Sequence, residues 1–225
     1  MEKKMKRLFR VFHPLKNVKE VGELVSLSSE ESKHLKVRRV EKGEEIELWD
    51  GSGTVAVAKV ESFNKQVTSV KIEEIEQFDA SKFSNYTVCT AIPQGERSDF
   101  MFEKLTELGV NRIVPLLLNR SSTSEEFISK KAERWKNIVI SASKQCYRPK
   151  LPILEPPSSL KDLLSRKKGE DEWVYGALEG EILMNHLSDI QYDPSTPFYA
   201  IIVPLKSFIL CEMACISSLP PFKSS

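Results

Sequence analysis

Two arginines in the segment "PQGERSDFMFEKLTELGVNRIVPLLLNRSS", residues 93–122, each follow a predicted buried strand. Arg97 comes after "YTVCTAI", and Arg120 comes after "RIVPLLL". Ligands of open α/β sheets bind beyond the carboxyl ends of the strands, so we expect the two guanidinium groups to converge on one site. Because a planar guanidinium makes bidentate contacts, this pair of residues is suited to binding phosphate.

The charges of this segment also have an explanation without function. In this alternative, Arg97 pairs with Asp99 and Lys104 pairs with Glu107, as solvated ion pairs on the surface of a helix. The spacing of the residues leaves both interpretations open.

A second polar group stands at the end of the long predicted helix "SEEFISKKAERWKNIVISASKQC". Gln145 and Arg148 come where its apolar stripe gives way to polar residues, so we expect both to point to the same mouth of the sheet. In the alternative, Lys144 and Arg148 only complete the negative end of the helix dipole.

Positive charge is concentrated in the first forty residues, above all in "KKMKR" and "KHLKVRRVEK". The second cluster precedes a predicted strand and a tight turn, which predicts a basic edge on a small barrel, of the kind that contacts RNA backbone. We interpret His34 in this cluster as a structural partner or stacking group. The alternative is a solvated surface of mixed charge, because the formal net charge of the chain is only +1.

Residues 1–77 have the pattern of a small β-barrel. The Asp50–Gly53 segment "DGSG" predicts a tight turn, since glycine accepts the positive φ of hairpin turns. Short, partly alternating segments rich in Val and Ile predict the strands "RLFRVF", "EIELWD", "TVAVAKVES" and "QVTSVKIEEI".

From about residue 84 strands and helices alternate, which predicts an α/β layer with a mostly parallel sheet. "WVYGAL" and "YAIIV" are its later strands, and Pro115 predicts an irregularity in the strand that contains it. The first helix is predicted to begin at the N-cap Ser98 and to stop at Gly109. The apolar stripes predicted for the two helices are Phe102, Leu105 and Leu108, and Phe127, Trp135, Ile138, Val139, Ala142 and Cys146.

Composition excludes several classes of protein. Apolar residues at 40% and charged residues at 29% are ordinary for a globular chain, and no apolar run approaches the roughly 20 residues that span a bilayer. The four cysteines form no CxxC pair and the three histidines lack ligand spacing, so we expect neither a metal site nor disulfides. Unpaired thiols and a poor secretory signal predict a cytoplasmic protein.

Three segments, in this order, resemble signatures of the ribosomal RNA small subunit methyltransferase E family, over about residues 5 to 155. The resemblance implies an N-terminal PUA-like β-barrel that binds RNA, over residues 1–77, and a SPOUT-type α/β knot domain over residues 78–225. The segments are "KHLKVRRVEKGEEIELWDGSG", "QGERSDFMFEKLTELGVNRIVPLLLNRSS" and "ERWKNIVISASKQCYRPKLP".

The resemblance also implies an activity and its partners. It implies methylation of N3 of a uridine in small-subunit rRNA, with S-adenosylmethionine as donor, and thus a role in rRNA processing and ribosome biogenesis. The implied partners are the rRNA or the ribosomal subunit and a second copy of the chain in a homodimer, without a membrane. No catalytic base is assigned; Asp99 and Glu107 are candidates for the proton acceptor only by elimination.

The residues assigned to RNA combine the matched signatures with the basic N-terminal region. Arg38 departs from the family, which has an apolar residue there, and this affects only local packing. Leu178 and Glu179 are assigned to the methyl donor. The assigned RNA-binding residues are Arg7, Arg10, Lys36, Arg39, Arg97, Arg120, Gln145 and Arg148.

The chain departs from the family after "AIIV", where a Gly-Pro-Glu-Gly type loop, a helix and a glycine-bearing strand would bind the donor. Residues 204–225 match none of it, which predicts a truncated or frame-shifted chain whose sheet is incomplete after residue 203. Two alternatives to the enzyme follow. One is a non-catalytic RNA-binding remnant, and the other is a metabolic α/β enzyme without affinity for RNA.

Overall fold

The structure, a computed structural model, divides the chain into two compact units. Unit 1 comprises residues 1–80 and 140–151, and unit 2 comprises residues 81–139 and 152–225. The end of the long helix and the segment after it thus group with the N-terminal strands, while the domain boundary between residues 77 and 78 stays a prediction. The described residues are 8–16, 18, 20–65, 67–78, 85–118, 123–166, 172–175 and 197–202.

The described residues of unit 1 form a five-stranded sheet and one complete helix, and they include the end of a second helix. The elements are β1 (Phe9–Phe12), β2 (Leu24–Ser26), α1 (Ser29–Val37), β3 (Glu45–Trp49), β4 (Thr54–Phe63) and β5 (Thr68–Gln77). The strand order is β1-β3-β4-β5-β2, in which only β1 and β3 pair in parallel. The four predicted strands are confirmed as β1, β3, β4 and β5, whereas β2 and α1 were not predicted.

The core of unit 1 lies where α1 covers the sheet. Leu35 is the apolar residue that α1 buries, and it is fully buried against residues from the strands. Burial of each such side chain contributes about 1.5–3 kcal/mol to stability. The largest fully buried strand residues in this cluster are Val11, Ile46, Leu48, Val60 and Ile72.

Local hydrogen bonds fix the ends of two elements in unit 1. The backbone N–H of Glu31 donates to the Ser28 hydroxyl at 3.2 Å, so Ser28 caps the start of α1. In the predicted Asp50–Gly53 turn, the Asp50 carboxylate accepts from the backbone N–H groups of Ser52 at 2.7 Å and Thr54 at 3.2 Å. The turn between β3 and β4 is therefore confirmed.

Unit 2 is an α/β layer, as predicted, and the strand pairs among its described residues are all parallel, where a mostly parallel sheet was expected. The sheet order is β10-β11-β6-β7-β8, and β9 also pairs with β7. The elements are β6 (Tyr86–Thr90), α2 (Glu96–Glu107), β7 (Arg112–Leu117), α3 (Glu125–Gln145), β8 (Ile153–Leu154), β9 (Ser158–Ser159), α4 (Leu160–Ser165), β10 (Glu172–Tyr175) and β11 (Phe198–Ile202).

The strand predicted at "YAIIV" is confirmed as β11, which lies between β10 and β6. Its Ile201 side chain is only 2% exposed and belongs to a cluster with Cys89, Val114 and Trp173. The last described strand is thus a central strand of the sheet, with a hydrogen-bonded neighbour on each side.

Pro115 lies within β7, at the point where the neighbouring strand changes. Arg112 and Ile113 pair with β8, whereas Leu116 and Leu117 pair with β9. Because proline has no N–H, it cannot donate to a continuous ladder, so the change of partner at this residue accommodates it. The predicted irregularity is confirmed.

The helices of unit 2 correct several predicted details. Helix α2 begins at Glu96 with Gly95 as its N-cap, so the prediction of Ser98 as N-cap is wrong. The Ser98 hydroxyl instead donates to the Gly95 carbonyl at 2.7 Å. Leu108, the C-cap that follows α2, is 77% exposed, so its place in the predicted apolar stripe was wrong; Gly109 follows it as predicted.

The long helix α3 buries Trp135, Val139 and Ala142 of the predicted stripe, whereas Phe127 and Ile138 are half-buried. Trp135 and Val139 are each 2% exposed, and the Trp135 ring stacks on Phe102 with the ring centroids 4.7 Å apart. Cys146 is exposed, because α3 ends at Gln145 and the chain turns there. The prediction that Cys146 belongs to the buried stripe was therefore wrong.

Substitution of Gly51 by Ala should destabilise unit 1 more than substitution of Gly22. Both glycines have positive φ (73° and 94°), which costs an alanine roughly 1 kcal/mol. A Cβ on Gly51 would lie 2.5 Å from Leu151 Cδ1, whereas nothing lies within 4 Å of a Cβ on Gly22. We expect losses of about 3 and about 1 kcal/mol, respectively, in chemical denaturation. Equal losses would contradict the close packing of Leu151 on the turn.

Cys89 should resist alkylation in the folded chain. Burial raises the pKa of its thiol to about 12, and the thiolate is the reactive form. Peptide mass spectrometry after iodoacetamide treatment should find Cys146 modified and Cys89 unmodified. The folded state favours the neutral thiol, so the contribution of Cys89 to stability is present at neutral pH and is lost as the pH rises above about 9. Rapid labelling of Cys89 would contradict this environment.

Candidate functional site

Arg10 connects β1 to the segment that follows α3 within unit 1. It stands opposite Glu47 in the β1–β3 pair, it is only 7% exposed, and its Nε donates to the Glu47 carboxylate. Its Nη1 donates to the backbone carbonyl of Arg148 at 2.8 Å. Two residues predicted to bind RNA from distant parts of the sequence are therefore brought together.

Aromatic side chains complete this connection. The Arg10 guanidinium carbon lies 4.8 Å from the ring centroid of Tyr147 and 5.6 Å from that of Trp49. The Tyr147 hydroxyl donates to the Leu8 carbonyl at 2.9 Å, and Trp49 Nε1 donates to the Pro149 carbonyl at 2.8 Å. The segment after α3 is thus held on β1 and β3 by side chains of both partners.

A groove with a volume of about 430 Å³ opens beside this cluster, and all of its lining residues belong to unit 1. We call it the unit 1 groove. It includes two of the residues assigned to RNA, Arg10 and Gln145. Its lining residues are Phe9, Arg10, His34, Val37, Arg38, Ser141, Lys144, Gln145 and Tyr147.

The cations of the groove differ in their partners. Lys144 pairs with Glu31, which is 7% exposed and whose second oxygen lies 3.4 Å from His34 Nδ1. Arg10 is neutralised by Glu47 in the same way. Arg38 instead lies over the ring of Phe9, with its guanidinium carbon 5.8 Å from the centroid, and forms no ion pair with another described residue.

Helix α1 ends in a Schellman motif that places Arg39 in the left-handed region, with φ 56°. The Val40 N–H donates to the Leu35 carbonyl at 3.1 Å, and the Arg39 N–H donates to that of Lys36 at 3.0 Å. Glycine usually occupies this position, because a Cβ is unfavourable there. Lys36 Nζ donates to the carbonyls of the turn at residues 64–65, at 2.9 and 3.1 Å.

Tyr147 repeats this conformation after α3, also with φ 56°. The Arg148 N–H donates to the Ser143 carbonyl at 3.1 Å, which is the longer bond of a Schellman motif. Burial lowers the pKa of the Arg148 guanidinium. Among the described residues, Arg39 and Tyr147 are the two non-glycine residues with positive φ, and both end helices that line the groove.

The second predicted cluster lies in unit 2, where the chain leaves β6 and enters α2. Arg97 is exposed in the first turn of α2. Asp99 accepts a hydrogen bond from Arg134 Nε at 3.0 Å, so its partner is a residue of α3 and not Arg97, contrary to the surface-pair alternative. A cavity of about 510 Å³ beside this pair is also lined by Lys131.

Glu107 lies far from this cluster, at the other end of α2. Eight residues separate it from Asp99, which corresponds to about 12 Å along a helix. Glu103 and Glu107 accept hydrogen bonds from Lys104 Nζ and raise the pKa of that amine; the Glu107 Oε2 distance is 2.9 Å. The pairing of Lys104 with Glu107 is therefore confirmed, and Glu107 and Asp99 do not share a site.

Several assigned residues lie outside the described residues. They are Arg7, Arg120, Leu178 and Glu179, together with residues 204–225. In the described part of the chain, no helix is long and apolar enough to cross a membrane, and no group of three or more His, Cys, Asp or Glu is placed to hold a metal ion.

Comparison with known proteins defines the class of this chain. The family model for the RNA methyltransferase PUA domain matches residues 27–72, and that for the RNA methyltransferase domain matches residues 79–203, more than half of the chain. The chain is therefore an RNA methyltransferase-domain protein with a PUA domain. Within this class, it belongs to the ribosomal RNA small subunit methyltransferase E family. The predicted fold class, a PUA-like domain followed by a SPOUT-type α/β domain, is confirmed.

Three relatives show the extent of the similarity, all named ribosomal RNA small subunit methyltransferase E. The Aquifex aeolicus protein is 37% identical over 57% of this chain and 56% of its own length. The Bacillus subtilis protein is 27% identical over 62% of this chain and 56% of its own length. The chain thus spans little more than half the length of these two relatives. A crystal structure from Neisseria gonorrhoeae bound to S-adenosylmethionine is 28% identical, with a TM-score of 0.79 over 92% of this chain and 84% of that one.

Replacement of Arg39 by Gly should stabilise the chain and weaken its binding of RNA. The gain, about 1 kcal/mol in chemical denaturation, follows from removal of a Cβ from the left-handed position. Loss of the cation should lower RNA affinity several-fold and reduce its salt dependence by about one ion. Arg39→Lys keeps both charge and strain, so it should resemble the unchanged chain in both measurements. If the Arg39→Gly variant is less stable than the unchanged chain, the backbone at residue 39 is not strained as we infer.

Proposed function

We propose that this chain methylates N3 of a uridine in small-subunit rRNA, in the cytoplasm, with S-adenosylmethionine as donor and as a homodimer. The observation that supports this most is the RNA methyltransferase match over residues 79–203, which includes all the strands from β6 to β11. The likeness to the Neisseria gonorrhoeae crystal structure, which was determined with S-adenosylmethionine bound, supports the donor.

The reaction requires removal of the N3 proton of uridine, because N3 is a weak nucleophile while it holds that proton. S-adenosylmethionine, when bound, supplies an electrophilic methyl group. We assign Arg97 to a uracil carbonyl or an adjacent phosphate, where a cation stabilises the negative charge that develops on the ring. Asp99 lies at the same end of α2 as Arg97, whereas Glu107 lies at the opposite end, so Asp99 is the better placed of the two candidate acceptors.

Two threonine hydroxyls near the carboxyl end of β6 donate to backbone carbonyls of the protein. The Thr90 hydroxyl donates to the Ala91 carbonyl at 3.3 Å, and the Thr123 hydroxyl donates to the Ile92 carbonyl at 2.9 Å. Both hydroxyls are thus used within the protein. The assigned donor residues, Leu178 and Glu179, lie outside the described residues.

Unit 1 is proposed to bind the rRNA. The assigned residues in its described part are Arg10, Lys36, Arg39, Gln145 and Arg148. Arg10 acts as a positioning residue, because its donors bind Glu47 and the Arg148 carbonyl. Exposed Arg39 is the member of this set best suited to contact phosphate.

Transfer of tritium from labelled S-adenosylmethionine to small ribosomal subunits that lack the modification tests the activity. A methyl group on N3 blocks the Watson–Crick edge, so reverse transcriptase should stop at the modified uridine. Arg97→Ala should lower kcat/KM by about 10- to 100-fold. Lys161→Ala, which removes an exposed cation of α4, should leave it unchanged.

Two other outcomes would contradict the proposal. If calorimetry shows no heat with S-adenosylmethionine while rRNA still binds, the chain is a non-catalytic RNA-binding protein. If the chain has no salt-dependent affinity for RNA, the RNA-binding role fails as well and a metabolic substrate becomes the better explanation.

A further inference from the structure

We infer that the unit 1 groove receives an unpaired nucleobase of the bound RNA, held against flat side chains and contacted at its edge by Gln145. The inference rests on the RNA-binding part of the proposed function. The proposed function does not say which part of the RNA this groove recognises. We infer that the groove recognises a base, and not only the phosphate backbone.

Several of the groups that line the unit 1 groove are flat. Phe9, His34, Arg38 and Tyr147 present planar rings or a planar guanidinium. Unpaired bases of RNA stack on aromatic rings and on arginine guanidinium planes. The volume of about 430 Å³ lies within the range of about 300–1,000 Å³ that is typical of sites for small organic ligands, so a base with its sugar can enter.

Most of the positive charge that lines the groove is compensated by carboxylates. Of the three groove cations, Arg10 and Lys144 are paired with the carboxylates of Glu47 and Glu31. Arg38 is left as the one lining arginine or lysine without an ion pair to a described residue, and it already lies over the Phe9 ring. A groove built for phosphate alone would keep more of its cations uncompensated. In the unit 1 groove, most cations are compensated, and flat side chains make up much of the lining.

Neutral polar groups also line the groove. Gln145 is exposed at the end of α3, and its amide carries both donors and an acceptor, which match the edge of a nucleobase. The Ser141 hydroxyl lies one turn earlier on the same helix and can also donate or accept. Phosphate oxygens, in contrast, only accept.

The backbone is strained at the ends of the two helices that line the groove. Arg39 and Tyr147 both adopt the left-handed conformation that disfavours residues with a Cβ. Such strain is concentrated where the surrounding structure uses it to hold a functional geometry. At Tyr147 it holds the ring beneath Arg10 and in the wall of the groove.

Binding of a short single-stranded oligouridylate to the full chain, measured by fluorescence anisotropy, tests the inference. The probe is compared with the same strand carrying abasic sugars at its central positions, which keeps every phosphate. We expect the abasic strand to bind about tenfold more weakly, the effect of one lost stack.

The Arg38→Lys variant tests whether the groove causes the difference in affinity between the intact and the abasic strand. It keeps the charge and removes the plane, so it should weaken binding of the intact strand about tenfold and leave binding of the abasic strand unchanged. Lys42→Ala, an exposed cation outside the groove, should weaken both strands slightly and equally.

The inference is overturned if both strands bind equally to the unchanged chain, or if Arg38→Lys binds the intact strand as the unchanged chain does. In those cases salt-dependent binding of both strands would still support the proposed RNA-binding function. Failure of both strands to bind at low salt would overturn that function together with the inference.

Discussion

The buried ion pair of Arg10 and Glu47 is the constraint on which the arrangement of unit 1 depends. Removal of one partner from such a pair leaves an uncompensated charge and costs about 3–5 kcal/mol. Arg10 also donates to the Arg148 carbonyl. The side chain that neutralises the Glu47 carboxylate of β3 therefore also holds the segment after α3 in place. The N-terminal sheet therefore includes residues 140–151 among its packing partners.

The direction of the helices imposes the equivalent constraint on unit 2. A helix that connects two parallel strands begins at their carboxyl ends and finishes at their amino ends. Arg97 and Asp99, in the first turn of α2, therefore lie at the edge where open sheets bind ligands, and Glu107 does not. The Asp99–Arg134 pair links this edge to α3.

The sequence predicted best those elements that are marked by a local pattern of apolar residues. Alternation and apolar runs predicted eight strands and both long helices, because burial dictates the type of residue at each position. Helix α1 was missed although Ser28 and Glu31 form the Ser-x-x-Glu pattern of a capping box, since the basic residues nearby were interpreted as the edge of a barrel. The partners of Arg10 and Asp99 could not be predicted, because each lies more than thirty residues away.

The left-handed residues show why the groove itself was also beyond prediction. A glycine at a helix end indicates such a conformation, but Arg39 and Tyr147 give no such signal. Each of these side chains strains the backbone, because glycine would be more stable at a left-handed position. A sequence selected for stability alone would lose these side chains. Tyr147 lines the unit 1 groove, so we interpret the strain at this residue as a means of maintaining the groove's surface, whereas Arg39 follows the end of a helix that lines the groove and is not itself a lining residue.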